Sequence, residues 1–435
     1  MTKPNALPKG VGARLRHTAR QWTTGLGPGI VTGAADDDPS GIATYSQAGA
    51  QFGYGLLWTM LLTYPLMSAV QLVSAHIGRV TGTGLASNLA KTFPRAVVGV
   101  LILILLVANV INIGADLSAM AAAANLVVGR GQHLFVIGFA VLCVTLQLFI
   151  PYRRYASILK WLTLSLFAYV GVVLLVNVDW SAAVLGMVWP RNLGNAAMLT
   201  IVAVFGTTIS PYLFFWQSSQ EAEEVATSPR ARALIQSPRS APREFRRIRA
   251  DTLIGMAFSN VIALAIMLAA AATLHVQGVT QIESAAQAAE ALRPIAGQFA
   301  FALFALGIIG TGLLAVPVLA GSAAFAVAEV FGWKEGLEYK PRQAVGFYSI
   351  IVAATFTGIL IDWSNLDPIR ALFWSAVLNG VSAAPIMVAM MVVASRRDVM
   401  GRFAERPLLM ILGWAAAAVM ALASAASLIG LMQGG

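Results

Sequence analysis

Gly33-Ala-Ala-Asp-Asp-Asp-Pro-Ser-Gly41 interrupts the first long apolar stretch of the chain, residues 25–52, and its reading decides the fold. Proline lacks the amide donor that a helix needs, glycine is a weak helix former, and ionised side chains are costly inside a bilayer. Asp36, Asp37 and Asp38, followed at once by Pro39, Ser40 and Gly41, therefore predict a membrane helix broken in its middle. A second interruption, Gly206-Thr-Thr-Ile-Ser-Pro-Tyr212, falls within the apolar stretch 196–222. Alone, Pro211 would read as a simple kink. Paired with the acidic break, it fits discontinuous helices whose unwound carbonyls and half-helix ends hold ions near the bilayer midplane.

Composition supports a membrane setting. Of the 435 residues, 58% are hydrophobic and only 11% charged, with a mean hydropathy of +0.75. A soluble domain carries about 25% charged residues, so a soluble enzyme is excluded. Stretches long enough to cross a hydrocarbon core of roughly 30 Å are expected at 25–52, 55–79, 95–128, 133–152, 155–178, 196–222, 246–274, 294–331, 343–362, 366–395 and 406–432. This makes an all-α polytopic membrane protein of about eleven transmembrane segments. No long polar region offers a second domain, so residues 1–24 form a basic cytoplasmic tail and 25–432 one transmembrane domain.

The basic residues test that count. Cytoplasmic connections should hold the excess of Lys and Arg. Of the 29, all but Arg130, Arg191, Arg293 and Arg370 fall in the tail or the even-numbered connections. The N-terminus is thus expected in the cytoplasm and the C-terminus outside. The net charge of +10 is topological and does not signal nucleic acid. The basic start leads into a short apolar run and then three acids rather than a small-residue cleavage site, so it reads as a half-helix and not a secretory leader. Residues 224–249, rich in Arg, Ser and Pro, are expected to form a mobile cytoplasmic loop.

Other features are less pointed. Cys143, the single cysteine, lies in an apolar run and reads as packing. No phosphate-cradling glycine loop, His-Glu-x-x-His motif or Ser/His/Asp arrangement appears, which argues against pumping at the expense of nucleotide and against enzymatic catalysis. Arg153, Arg154 and Lys160 read as interfacial anchors. Glu221, Glu223 and Glu224 read either as a solvated helix end or as an inner vestibule for cations. Asp116, in segment three, is the remaining acid deep in an apolar run.

The run from Gly27-Pro28-Gly29 through Asp38-Pro39-Ser40-Gly41-Ile42-Ala43-Thr44, with Gln47-Ala48-Gly49-Ala50-Gln51-Phe52-Gly53-Tyr54-Gly55 after it, resembles the first helix of the Nramp family of divalent metal transporters. That family has Asp-Pro-Gly-Asn at the break. Asp116-Leu117 resembles its Thr-Asp-Leu-Ala-Glu stretch, and Ser210-Pro211-Tyr212 stands where it has Met-Pro-His. The likeness is strongest over about residues 25–82. It implies the LeuT-like inverted repeat, with segments one to five (25–178) and six to ten (196–395) as its halves and segment eleven (406–432) added. The breaks then open each half.

The departures bear on the cargo. Asp38 matches the metal-binding aspartate, but Gly41 replaces the family's asparagine and Ser210 its methionine. Thioethers favour late transition metals, whereas carboxylates, carbonyls, hydroxyls and water suit magnesium, calcium or manganese. Losing two larger side chains should also widen the site for an ion that keeps part of its hydration, as magnesium does. The resemblance therefore points to the Nramp-related magnesium transporters. Carried over by position, Asp38 would be the carboxylate ligand, direct or through water, with the carbonyls of Ala35 and Thr207 and the Ser210 hydroxyl completing the lining. Asp36 and Asp37 would either raise the local cation concentration or cap and solvate the break. Asn379 faces either the same cavity or a neighbouring helix through a hydrogen bond.

Coupling to protons needs groups that titrate along a connected path. The family's histidine is Tyr212 here, its helix-three glutamates fall at Asn109 and Ala119, and His17, His76, His133 and His275 lie in the tail or near segment ends. Asp116, Tyr212 and Asn109 mark the remaining pathway, and weak or absent proton coupling is expected. The sequence thus reads as an importer of a hard divalent cation, Mg²⁺ first and Mn²⁺ second, working by alternating access. Its expected setting is the cytoplasmic membrane, as a monomeric unit with the ion as cargo and no resident cofactor. The rival readings are a proton-coupled Mn²⁺/Fe²⁺ importer and, third, a cation-coupled symporter of an organic solute.

Overall fold

The computed structural model describes residues 28–150, 162–190, 194–228, 231–364, 367–404 and 406–433. The basic tail 1–24 and the anchors Arg153, Arg154 and Lys160 lie outside them. Among the described residues the chain is helical without strands. The first segment is two helices, α1 (Pro28–Asp36) and α2 (Pro39–Phe52), and the sixth is likewise two, α9 (Asn195–Thr208) and α10 (Pro211–Thr227). Between them run α3 (Trp58–Thr81), the short α4 (Leu85–Thr92), α5 (Arg95–Val128), α6 (Gln132–Phe149), α7 (Phe167–Leu175) and α8 (Trp180–Val188). The second half continues with α11 (Ala241–Ala270), the short α12 (Ala285–Glu290) and α13 (Arg293–Ala296), α14 (Ala300–Phe331), α15 (Val345–Ile359), α16 (Pro368–Ser395), the short α17 (Arg397–Met400) and α18 (Pro407–Gln433).

Every expected segment contains a helix. Among the described residues nine helical segments are long and apolar enough to span a bilayer, and α7 meets α8 at 119° in a bent pair. The two parts of the first segment, 9 and 14 residues long, are each too short to span alone. Both breaks follow the same logic. Pro39 and Pro211 stand at the first position of α2 and α10, where a missing N–H costs nothing, and the preceding residues Asp38 and Ser210 are extended.

The broken helices occupy the middle of the bundle. α1 packs on α11, α2 on α11, α16 and α9, and α9 on α16. α5 lies along α14, α15 and α16, while α18 covers α16, α9 and α3. Apolar side chains such as Leu103, Leu134, Leu174 and Leu422 point outward. Ionisable ones are drawn inward: Asp36, Asp37, Asp38 and Asp116 are fully enclosed. That inversion suits lipid surroundings rather than water.

Close backbone approach fixes two of these contacts. A Cβ on Gly33 would lie 2.2 Å from the Gly255 carbonyl oxygen, which locks α1 against α11. One on Gly206 would lie 2.1 Å from the Ala376 oxygen, so α9 and α16 meet in the same way. Small residues at helix crossings are the usual means of packing in a membrane, where burial of apolar surface gives little drive.

The connection between segments six and seven is shorter than expected. α10 runs on to Thr227 and α11 begins at Ala241, so much of 224–249 is helical. In the part between them, the amides of Leu234 and Ile235 donate to the carbonyls of Arg79 and Val80, each at 3.2 Å. Proline at the start of α11 favours the helix there, a position where it is well tolerated.

Gly33→Ala should lower the unfolding midpoint in detergent, corresponding to about 1–3 kcal/mol of overpacking. Gly99→Ala, which meets nothing within 4 Å, should leave it unchanged.

Candidate functional site

The site is built around a helix cap. Asp38 is extended and its Oδ1 accepts from the Gly41 amide at 2.8 Å and the Ser40 hydroxyl at 2.7 Å, closing the N-terminus of α2. Its Oδ2 accepts from the Asn112 amide of α5 at 3.1 Å. A carboxylate with three donors is thereby held rigidly at the mid-membrane break. One turn further along α5 stands Asp116, buried, with neither carboxylate oxygen hydrogen-bonded.

Asp36 and Asp37 turn to the other side. The Ser259 hydroxyl of α11 lies 2.5 Å from Asp36 Oδ2 and 3.0 Å from Asp37 Oδ1, so one hydroxyl serves two carboxyl groups. Asp36 Oδ1 and Asp37 Oδ2 have no hydrogen-bond partner. These two residues are therefore anchored to α11 rather than gathered with Asp38. Among the described residues no three His, Cys, Asp or Glu side chains form a ready-made metal cluster.

The second break faces the first. Ser40 and Thr207 bring their hydroxyl oxygens to 3.5 Å across the gap. The Ser210 hydroxyl turns back on α9, the half-helix before it, donating to the carbonyls of Gly206 and Thr207 at 2.8 and 2.9 Å. The Tyr212 hydroxyl donates to the Ala35 carbonyl at 3.1 Å. Both carbonyls picked out in the sequence thus already carry one hydrogen bond, and each keeps a second lone pair.

The room expected beside Gly41 is occupied. A Cβ at that position would lie 3.1 Å from Thr207 Oγ1 and 3.2 Å from the Tyr45 ring, so glycine here admits neighbours rather than leaving open space. Gly41 contributes an amide to Asp38 and no side-chain donor to a cavity.

The polar residues deeper in the bundle separate into two kinds. Asn109 ties α5 to α14, donating to the Leu319 carbonyl at 2.9 Å and the Ser322 hydroxyl at 2.8 Å. Asn379 is fully buried in α16 and neither of its amide atoms is hydrogen-bonded, so the helix-to-helix bond considered for it is not made. The three histidines among the described residues keep away from the breaks. His76 packs at a tilt against Phe245 with ring centroids 4.4 Å apart, His133 pairs with Asp362, and His275 meets the Ala50 carbonyl at 2.8 Å.

The acidic end of α10 departs from a solvated reading. Glu221 is fully buried and pairs with Arg247 at 2.7 Å and Arg79 at 4.0 Å. Arg79 also holds Glu244 at 2.7 Å, and Arg247 reaches Glu224 at 3.4 Å. Beside this network, Asp251 Oδ2 accepts from the Gly29 amide at 2.7 Å, capping α1, and the Thr32 hydroxyl donates to Gln217 at 2.5 Å. α1 is thereby tied to α10 and α11 at the end where the basic connections lie. Glu223 instead accepts from the Glu338 amide at 2.9 Å.

Two broken helices thus meet beside an aspartate. The family model described as natural resistance-associated macrophage protein-like matches residues 29–430. The chain belongs to the Nramp family. It is 26% identical over 426 residues to the divalent metal cation transporter MntH of Deinococcus radiodurans, covering 94% of this chain and 91% of that one. To MntH of Klebsiella pneumoniae strain 342 it is 28% identical over 406 residues, covering 91% of both. The fold matches the Eremococcus coleocola manganese transporter bound to an aromatic bis-isothiourea compound, at a TM-score of 0.72, 17% identity, and coverage of 96% and 87%. It also matches Mhp1, a nucleobase-cation-symport-1 family transporter, at a TM-score of 0.59, 12% identity, and coverage of 94% and 92%. The all-α architecture with the LeuT-like inverted repeat is that of these structures, and the Nramp chain is not an enzyme.

Sequence reading missed Asn112 and Ser259. Asn112 was detectable as a polar residue one turn before Asp116 in an apolar helix. Ser259 offered no such signal, because a membrane serine commonly satisfies itself on its own helix.

Asn112→Leu should destabilise the protein by about 1–3 kcal/mol, read as a lower unfolding midpoint, because Asp38 Oδ2 is left without a donor. The double variant Asp38→Leu/Asn112→Leu should lose less than the sum of the single changes.

Proposed function

We propose that this Nramp-family chain imports a hard divalent cation, Mg²⁺ ahead of Mn²⁺, by alternating access between its two broken helices. Divalent metal transport follows the family and the relatives named for it. The observation that carries the finer reading is the Asp38 carboxylate at the crossing of the breaks, in surroundings of oxygen and amide groups with Ser210 where a thioether would stand. Hard oxygen donors suit Mg²⁺ and Mn²⁺ over softer metals.

In this proposal Asp38 meets the ion directly or through water. The second lone pairs of the Ala35 and Thr207 carbonyls and a rotated Ser210 hydroxyl complete the lining, and the unbonded Asn379 amide supplies a further contact. Asp36 and Asp37 add negative potential from the side of α11. Gly41 lets Thr207 and Tyr45 approach. Asn109 and Tyr212 shape the path rather than bind. The membrane potential suffices as a driving force, since a divalent cation gains roughly 4.6 kcal/mol at 100 mV, inside negative. Proton movement is not required. The expected orientation, from the basic connections, puts the N-terminus in the cytoplasm and the C-terminus outside, in the cytoplasmic membrane, with one chain as the transport unit. The ties of Arg79, Arg247 and Asp251 to Glu221 and α1 then hold the cytoplasmic side closed.

A second reading, a proton-coupled manganese or iron importer, is favoured by one observation. Asp116 is buried beside the site with both oxygens unbonded, as a proton carrier would be.

Proteoliposomes held inside-negative, with internal pH followed by a dye, separate the two. Saturable Mg²⁺ entry without acidification supports the proposal, whereas Mn²⁺ entry with acidification and no Mg²⁺ entry establishes the second reading. Asp38→Ala should abolish uptake while Asn379→Ala only weakens it. Normal uptake by folded Asp38→Ala protein would remove Asp38 from the site. Ser210→Met should raise Mn²⁺ or Cd²⁺ binding relative to Mg²⁺, measured by calorimetry; unchanged ratios would show that residue 210 does not face the ion.

A further inference from the structure

At the basic end of the molecule a cavity of about 560 Å³ is lined by Arg239, Pro242, Arg243, Arg246, Arg247 and Ala250. Its four arginines come from the first turns of α11 and the turn before it. Arg247 is engaged with Glu221, Glu224 and Glu244. Arg239, Arg243 and Arg246 are exposed and, among the described residues, have no carboxylate within 4.0 Å. Three exposed cationic side chains lining one open pocket, none paired with a carboxylate, attract an anion into it. Guanidinium forks match the oxygens of a phosphate group.

The surroundings indicate where that phosphate comes from. Below the arginines the same side of α11 continues as Ala250, Ile254 and Val261, spaced by four and seven residues along one helical face. Ile254 is 47% and Val261 53% exposed, so this stripe faces lipid. A basic pocket directly above an apolar stripe fits a molecule with an anionic head and acyl chains. A free phosphate would have no use for the stripe.

We propose that this pocket binds the phosphate of an anionic phospholipid from the leaflet that meets the basic ends of the helices, with an acyl chain along Ile254 and Val261. Because Arg247 lines the pocket and also holds Glu221, a bound lipid braces the ion-pair network that ties α11 to α10 and α3. The assignment rests on the membrane fold and the placement of these arginines. It does not rest on which metal is carried.

The test is a thermal-unfolding titration of the full-length protein in neutral detergent. Short-chain phosphatidylglycerol, phosphatidylcholine of the same chain length and inorganic phosphate are added separately. The wild type is compared with Arg243→Gln/Arg246→Gln, which leaves Arg247 in place. Phosphatidylglycerol should raise the unfolding midpoint saturably, with an apparent affinity about tenfold weaker in the double variant. Phosphatidylcholine should act weakly on both. Ile254→Ser should weaken the response to phosphatidylglycerol while keeping the fold, since this side chain already faces outward. Equal responses of wild type and double variant, or no response at all, would overturn the site. A response to inorganic phosphate alone that is equally saturable and equally sensitive to the arginines would overturn the lipid as its ligand.

Discussion

A membrane interior tolerates a broken helix only if every backbone group freed by the break finds a partner within the protein. Here the Asp38 carboxylate meets that demand for α2, accepting from the Gly41 amide and the Ser40 hydroxyl while Asn112 holds its other oxygen. The second break is closed from its own helix, where the Ser210 hydroxyl covers two carbonyls at the end of α9. The group that makes the break possible is thus also the charge placed at its centre. Structure and site chemistry share one side chain.

The remaining architecture follows from holding such short half-helices in place. α1 has only 9 residues, too few to stay folded in isolation. It is secured at its start by Asp251, along its side by Gly33 against Gly255, through Thr32 by Gln217, and at its end by Ser259 on Asp36 and Asp37. Most of these ties come from α11. A helix anchored by a few discrete polar contacts can exchange them as a unit, which is what the proposed alternation between two states demands. Beside it the buried pairing of Glu221 with Arg247 and Arg79 joins α10 to α11 and α3, and the cost of desolvating such a pair offsets much of its attraction.

The fold was largely legible in the chain. Apolar length located the segments, and proline after an acidic or small polar residue placed both breaks within a residue or two. Asp38 and Asp116 stood out because an acid inside an apolar helix is expensive. Less visible were residues whose type is common and whose role is set by a partner far along the chain. Ser259 meets Asp36 across 223 residues, and Asn112 meets Asp38 across 74. For Glu221 the chain left a solvated helix end and a cation vestibule both open, because Arg79 and Arg247 approach it only in the folded bundle.

By itself, then, the sequence determined what the bilayer enforces locally: which stretches span, where a helix cannot continue, and which family the chain resembles. Hydrophobic length and the missing proline amide act within a few residues, so they can be read without the fold. Tertiary structure alone decided the directions of the polar groups. It turned Asp36 and Asp37 toward α11 while Asp38 faced α5, filled the space beside Gly41 with Thr207 and Tyr45, and left Asn379 buried without a bond. Such outcomes depend on which helices lie side by side, and that is fixed by packing at Gly33, Gly206 and their partners across hundreds of residues.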